Sequence, residues 1–541
     1  MLRRLGAPGR ESRSRNLSRR RRIVILRFID IPSHSVDIER ESLSDFRRRT
    51  HERACRLLLP CRPHSSTNND GCNGWYMRTI RVDRRTARNQ ARRGFFLSLV
   101  SLLLIASLGS LSFQAARSSV PGGYGEQDAS LKGTGSESAE RVRILERLGV
   151  SAWHARGWRG RGMKVAILDS GFHGYREHLG KALPKSVSVR SFRFDGNLEA
   201  KDSQHGILCA EVIHSLAPEA DLLLANWEPE HPQQFLAAVR WARREGARIV
   251  SCSIIMPTWS DCEGRGRVHD ELTRLLSPTG GEGHALFFAS AGNTAQRHWS
   301  GSFEDGGDGY HVWKRDDGIA LTENVIRPWG RERVSVELCC PSGDRYEVSV
   351  LDASTKEVVT GATSREIGGA NCAVAAFIPE TDREYRVRVH ALGKAKGKFH
   401  LVVLGGSLLH ARSVGSIPFP GDGAEVIAVG AVDTLGRRLT YSSCGAKGGP
   451  IKPDFVATVP FPSGWRSRPF AGTSAAAPQA GALAALLWSR HPEWKAEQIR
   501  EALQNATRPC SADSATWETG RGLMRLPEPT TLSKPSRSFV P

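Results

Sequence analysis

From about residue 150 the chain repeats one rhythm: a short apolar run, then a segment whose apolar residues recur every three or four positions. Met163–Leu168 reads as a strand and His205–Leu216 as a helix with Leu208, Val212 and Leu216 on one stripe. Ala220–Ala225 reads as a strand, Pro232–Glu245 as a helix, Arg248–Ser253 as a strand, Val268–Leu276 as a helix and Ala285–Ala289 as a strand. Strands apolar on both faces must be covered on both, and helices between them make the crossovers that parallel pairing requires. The pattern predicts an α/β fold, a parallel sheet with helices on both faces. In such sheets the chemistry collects at the carboxyl ends of the strands.

Between residues 303 and 405 the rhythm changes. Val334–Leu338, Tyr346–Leu351, Ala373–Ile378, Tyr385–Ala391 and Lys398–Leu404 are short runs, several alternating apolar and polar residues as in Tyr385-Arg386-Val387-Arg388-Val389. This predicts an inserted antiparallel β-sandwich. The first rhythm resumes with Val426–Val432, a helix from Ser474 to about Ser489 and another over Lys495–Asn505. The α/β domain is therefore split, 150–302 and 413–527, with a tail over 528–541 and a short helical pattern, Ala139 to Leu148, leading in.

The net charge of +20 bears on partners only through its location. Residues 1–93 carry 24 Lys+Arg against 9 Asp+Glu, which leaves the rest of the chain near balance. A nucleic-acid footprint belongs on the folded body, so no nucleic-acid partner is expected. Residues 1–93 read as basic and disordered. Arg92 and Arg93 precede the apolar run Phe95–Leu108, and Ala115 and Ala116 follow it, so 94–116 reads as an export signal or a membrane anchor. Arg92-Arg93-Gly94-Phe95-Phe96-Leu97 also resembles a twin-arginine signal. Synthesis starting at Met77 gives that signal an ordinary length. Residues 117–149 then form a linker, rich in Gly and Ser at first. The expected location is extracellular, periplasmic or at the cell surface, with membrane contact only through the apolar segment. Of 11 cysteines, Cys55, Cys61 and Cys72 precede Met77. Among the other eight, Cys252 with Cys262, and Cys372 with Cys339 or Cys340, are the candidate disulfides.

Four residues stand at places suited to chemistry. Ser474, in Gly472-Thr473-Ser474-Ala475-Ala476-Ala477-Pro478, opens a helix, beside unpaired N–H groups and the positive end of the dipole. Asp169 ends the strand Val165–Leu168 at the functional edge of the sheet. His205 opens an amphipathic helix and titrates in the range a general base needs. Asn293, in Ala289-Ser290-Ala291-Gly292-Asn293, follows a strand and carries an amide that suits an oxyanion. Each alone also fits a helix cap or a turn. Their order Asp, His, Ser is the subtilisin order, and no G-x-S-x-G elbow is present.

Val165-Ala166-Ile167-Leu168-Asp169-Ser170-Gly171, His205-Gly206, Ala289–Asn293 and Gly472–Pro478 together resemble the signature blocks of the subtilase family. Ser442–Gly445 through Ile451–Asp454 resembles the family segment before the nucleophile. The resemblance implies a serine endopeptidase with Asp169, His205 and Ser474 as the triad, Asn293 as oxyanion donor, and protein or peptide substrates. By the same resemblance substrate lies along Ser251–Ile255 and Ala289–Gly292, where Ser251, Ser253, Ala289 and Gly292 are the candidate binding residues.

Three departures stand out. Ile207 replaces the usual Thr after His-Gly, Gly481 and Ala482 invert the usual order, and residues 117–150 are short for a folding prodomain. No cofactor is required for the chemistry. Structural calcium is common in the family, but the sequence locates no calcium or other metal site. His173, Glu177 and His178 lack the spacing of ligands on one helical face, and Asp305, Asp308, Asp316 and Asp317 read as a turn. Two competing readings share the residues: an inactive scaffold whose sandwich is the functional part, and a serine hydrolase acting on esters.

Overall fold

The computed structural model describes residues 135–277, 283–341, 343–510 and 516–529. The readings made for the basic segment, the Met77 start, the export segment, the linker up to residue 134 and the tail beyond residue 529 lie outside the described residues. Helices α1 (Gly135–Arg147) and α2 (Val150–His154) lead into β1 (Lys164–Leu168) and β2 (Ser188–Ser191). Then come α3 (His205–Leu216), β3 (Asp221–Asn226), α4 (Pro232–Arg244), β4 (Ile249–Cys252), α5 (Arg267–Leu276) and β5 (Leu286–Ser290). The chain leaves the sheet through β6 (His298–Ser302), β7 (Lys314–Asp316), β8 (Ile319–Leu321), β9 (Asn324–Pro328), β10 (Val334–Cys340) and β11 (Tyr346–Asp352). It continues with β12 (Val358–Thr363), β13 (Arg365–Ile367), β14 (Ala370–Phe377), β15 (Tyr385–Ala391), β16 (Lys398–Leu404) and β17 (Gly406–Leu408). It returns through β18 (Val426–Val432) and β19 (Phe455–Thr458) to α6 (Thr473–Arg490), α7 (Ala496–Asn505) and α8 (Thr516–Thr519).

Among the described residues the central sheet has seven strands in the order β19-β18-β5-β4-β1-β3-β2. Every neighbouring pair in it is parallel. Both faces are buried, as the apolar runs require. Along β1, Val165 and Ile167 join one core with Ile207, Ile213, Leu486 and Trp488, while Ala166 and Leu168 join the other with Phe235, Val239, Trp241 and Phe287. The two faces belong to different helices, α3 and α6 on one and α4 and α5 on the other. Helix α6 is buried from Thr473 to Trp488. Its run of alanines and Gly481 lets the helix lie close on the sheet: a side-chain carbon at Gly481 would sit 3.7 Å from Ile249 and 3.8 Å from Ser251. The inverted Gly481-Ala482 order therefore keeps close packing.

The excursion between β5 and β18 forms two five-stranded antiparallel sheets, β13-β14-β10-β16-β6 and β12-β11-β15-β9-β17. Their inner faces share a core that includes Val336, Leu338, Tyr346, Val348, Val387, Val389 and Leu401. Strands β6 and β17 lie outside residues 303–405 yet supply one edge of each sheet. These edges lack a readable pattern because an edge strand needs no second apolar flank. Among the described residues no helix is long and apolar enough to cross a membrane.

Candidate active site

Asp169 follows β1 directly, and its backbone N–H still donates to Ala225 on β3 at 3.0 Å. That last sheet bond sets the side chain at the carboxyl edge of the strands, fully buried. One carboxylate oxygen accepts the Ser170 and Gly171 N–H groups at 2.8 and 3.1 Å. The other faces His205 Nδ1 at 2.8 Å. With Nδ1–H donated to the carboxylate, Nε2 is the basic nitrogen of the neutral ring. Burial works against the protonated imidazole, but the Asp169 charge and hydrogen bond outweigh it and raise the His205 pKa above its ordinary value. The ring keeps 29% of its side-chain surface exposed, so the burial effect is partial and the upward direction stands. Phe470 presents its ring to His205 edge-on, centroid to centroid 5.5 Å.

The His-Gly pair has a steric cause. Gly206 donates to the Gly171 carbonyl at 2.7 Å, and a Cβ there would lie 2.6 Å from the Phe172 ring. Only glycine lets α3 start this close to the Asp169 turn.

Ser474 is the second residue of α6, after Gly472 and Thr473. Pro478 cannot donate the bond that the Ser474 carbonyl would ordinarily receive from one turn on. Two side chains accordingly reach that carbonyl: Ser253 Oγ at 3.2 Å and the Cys209 thiol at 3.7 Å. The same thiol lies 3.8 Å from the Asp169 carboxylate, so Cys209 sits beneath both ends of the arrangement. Asp169, His205 and Cys209 are the only described set of three metal-ligating side chains whose ligand atoms all lie within 4.8 Å of one another. Burial pushes the Cys209 thiol well above its ordinary value, so it is a neutral spacer.

The orientation of Asn293 follows from its partners. Its Oδ1 accepts from the Thr473 N–H at 3.0 Å and from the Thr473 hydroxyl at 2.9 Å. Two donors on the oxygen leave the amide N–H₂ as the outward group. Nδ2 lies 2.9 Å from where a Cβ of Gly472 would stand, and Gly472 has φ 86°, so a side chain there meets both a clash and backbone strain. The Thr473 hydroxyl also accepts the Gly292 N–H at 3.2 Å, and Arg297 Nε holds the Asn293 carbonyl at 2.9 Å.

The structure thus brings Asp169 and His205 together, and gathers Asn293, Gly292, Ser253 and Ser474 around Thr473 and the start of α6. Ser251 faces elsewhere. It packs under α6 beside Gly481, and its hydroxyl is buried with no partner among the described residues. Ala289 is fully buried in the core on the α4 and α5 side. Neither side chain is presented to a substrate. Thr473 and Cys209 were missed from sequence because each acts on a residue distant in the chain. The one available signal for Cys209 is its place one helical turn after His205.

The acidic turn uses its carboxylates on its own backbone: Asp305 accepts from Gly307 and Gly309 at 2.8 and 2.9 Å, and Asp308 from Tyr310 at 3.1 Å. Around His178 the neighbour is the Trp465 ring, 4.2 Å away, while the His173 ring faces the Glu199 carbonyl at 3.5 Å. The expected Cys252–Cys262 pair is not assembled. Cys252 is buried in the core under α4, while Cys262 belongs to a separate cluster with Cys339 and Cys372.

A cleft of about 570 Å³ opens beside His205, lined by Asp202, Leu208, Arg466, Phe470 and, from the inserted sheets, Glu332. Glu332 lies in the loop between β9 and β10. At one end of that loop the Arg297 guanidinium lies 4.8 Å from the Trp329 ring. At the other, Arg333 lies 3.7 Å from Glu230 in the loop after β3.

Residues 370–529 match the model of the subtilase family. The chain is 31% identical over 212 residues to subtilisin Savinase of Lederbergia lenta, which spans 38% of this chain and 71% of that one. It is also 32% identical over 114 residues to subtilisin of Bacillus pumilus, covering 21% of this chain and 40% of the relative. With alkaline elastase YaB of a Bacillus strain the identity is 32% over 174 residues, 30% of this chain and 43% of the relative. The chain thus spans about two-fifths of the length of these last two. Among solved structures, the CspB protease of Clostridium perfringens superposes with a TM-score of 0.52 at 15% identity, over 71% of this chain and 95% of that one. That likeness concerns the fold.

Proposed function

We propose, from the premise that this chain belongs to the subtilase family, that it is a serine endopeptidase acting through Ser474, His205 and Asp169. The observation that carries the reading is the 2.8 Å contact between His205 Nδ1 and Asp169, which leaves Nε2 as the base. His205 takes the Ser474 hydroxyl proton as the oxygen attacks a peptide carbonyl. Asp169 stabilises the imidazolium that forms and holds its tautomer. The Asn293 amide, turned outward by Thr473, and the Ser474 N–H at the start of α6 receive the oxyanion. His205 then protonates the leaving amine, and water attacks the acyl-enzyme by the reverse sequence. Substrates are proteins or peptides, and the apolar stretch Phe95–Leu108 supports export.

The inserted sheets take part in substrate access in this reading, because Glu332 lines the cleft and Arg333 pairs across to Glu230. Arg333→Ala and Glu332→Ala are expected to raise cleavage of casein relative to a short peptide several-fold; an unchanged ratio rejects the access role. These variants are a better probe than excision of 303–405, which strips β6 and β17 of their partners. Caseinolysis by the exported chain beside Ser474→Ala tests the function itself. Activity surviving the substitution, or turnover of esters without any peptide cleavage, rejects it.

A further inference from the structure

Three thiols meet where the inserted sheets rest on the α/β body. Cys339 on β10 and Cys372 on β14 stand directly opposite each other in the antiparallel pair, with their sulfurs 3.1 Å apart. Cys262 approaches from the body, on the loop between β4 and α5, and its thiol interacts with that of Cys339. Both of these sulfurs face one acceptor, the Pro257 carbonyl, at 3.5 and 3.4 Å. With Ala370 the three cysteines close a small cluster, exposed by 7%, 1% and 0%. Cys340, one residue on, turns the other way into the sandwich core, as strand alternation requires.

The body's loop is fixed in this position by independent contacts. The Cys262 N–H donates to Ser260 Oγ at 3.0 Å, and Glu263 pairs with Lys398 of β16 at 2.5 Å. Arg267 N–H donates to the Gly368 carbonyl at 2.8 Å, between β13 and β14.

We propose that Cys262, Cys339 and Cys372 form one disulfide site in which Cys339 bonds either neighbour and the third cysteine stays a thiol. Formation uses a disulfide-type oxidant, such as oxidised glutathione or a protein thiol oxidase. The Cys339 thiolate attacks the oxidant's disulfide and releases one thiol. The neighbouring cysteine then displaces the second, so two protein thiols become a disulfide and the oxidant becomes two thiols. Exchange needs no oxidant: the Cys262 thiolate attacks Cys339, and the Cys372 sulfur leaves as thiolate and takes up the proton Cys262 gave. The contact with Cys339 works to lower the Cys262 pKa, but burial and the nearby acidic groups outweigh it and raise it, so little of the attacking thiolate is present and exchange is slow once the joint is packed. The partner is chosen while the sheets settle on the body. The in-sheet bond leaves the joint non-covalent. The alternative bond ties β10 to the body, and β10 begins directly after the loop that carries Glu332 to the cleft.

The test uses the full chain bearing Ser474→Ala, so that its outcome is independent of proteolytic activity. The protein is folded with oxidised and reduced glutathione, alkylated under denaturing conditions and mapped without reduction. The expected map has one disulfide containing Cys339 and one alkylated partner, Cys262 or Cys372. Cys372→Ser is expected to yield Cys262–Cys339, Cys262→Ser to yield Cys339–Cys372, and Cys339→Ser to leave both others alkylated. Three alkylated thiols in the parent, a Cys262–Cys372 bond, or free Cys262 and Cys339 in Cys372→Ser overturns the proposal. The parent map needs no substitution at the joint and stands even where a variant fails to fold.

Discussion

In the proposed mechanism Asn293 can serve an oxyanion because its own oxygen is already occupied. Thr473 supplies both donors to that oxygen, which leaves the amide N–H₂ as the group able to donate elsewhere. Asn293→Ala is expected to lower kcat about a hundred- to a thousandfold with little change in KM, a magnitude carried over from the oxyanion asparagine of subtilisin, itself a family member. Steady-state kinetics on a peptide substrate measures it. His205 carries a second prediction. Its pKa lies above the ordinary value of about 6.5, and only the neutral ring is a base, so kcat/KM rises with pH through a midpoint above 6.5. NMR titration of His205 in Ser474→Ala checks the midpoint directly, and replacing Asp169 by Asn lowers it. The four candidate residues were legible in the sequence because each has a glycine within two positions and stands at the end of a strand or the start of a helix. Thr473, Cys209 and Glu332 were not, because their roles depend on partners brought together only by the fold.

Elements read well where packing demands a pattern on both sides. Strands β1, β5 and β18 and helix α6 are buried along their lengths, so little but apolar or small residues fits them. The edges β6 and β17 each give one large residue to the sandwich core, Trp299 and Leu408, among small and polar ones, while β12 has no buried position. What holds the loops around the α/β body is equally hard to read. Asp422, just before β18, accepts from Ser260 Oγ at 2.7 Å and from the Gly264 N–H at 3.1 Å, and pairs with His269 of α5 at 2.9 Å. Burial pushes the Asp422 carboxyl up, but the His269 bond and charge with the other donors outweigh it and hold it below its ordinary value. A depressed carboxyl stabilises the fold above the unfolded pKa of about 3.9, and that stability is lost as pH falls through the folded value. Asp422→Ala is expected to cost about 3–5 kcal/mol at neutral pH, the general cost of breaking a buried pair, with the difference from the parent shrinking below about pH 4. Urea unfolding of both proteins in the Ser474→Ala background measures it.

At the scale of the whole molecule the candidate site is discontinuous. Asp169 and His205 precede the inserted sheets and Ser474 follows them, so the site exists only because β18 returns to pair with β5 in parallel. The joint that the excursion creates buries titratable groups of its own. His298 on β6 lies against His400 on β16, with ring nitrogens 3.1 Å apart. Burial and the neighbouring His400 push the His298 pKa down to about 3. The unfolded ring binds its proton near pH 6.5, so the folded joint loses stability as pH falls from there towards 3. Acid is therefore expected to loosen the inserted sheets at a pH where isolated carboxylates are still charged, and hydrogen exchange of β6 and β16 between pH 7 and 4 reads this. The central claim is that Ser474, distant in sequence from its base, is the nucleophile. A fluorophosphonate probe followed by peptide mapping tests it most directly. One adduct on Ser474, abolished by Ser474→Ala and suppressed by His205→Ala, is the predicted result; a folded protein that takes no label, or takes it on another serine, contradicts it.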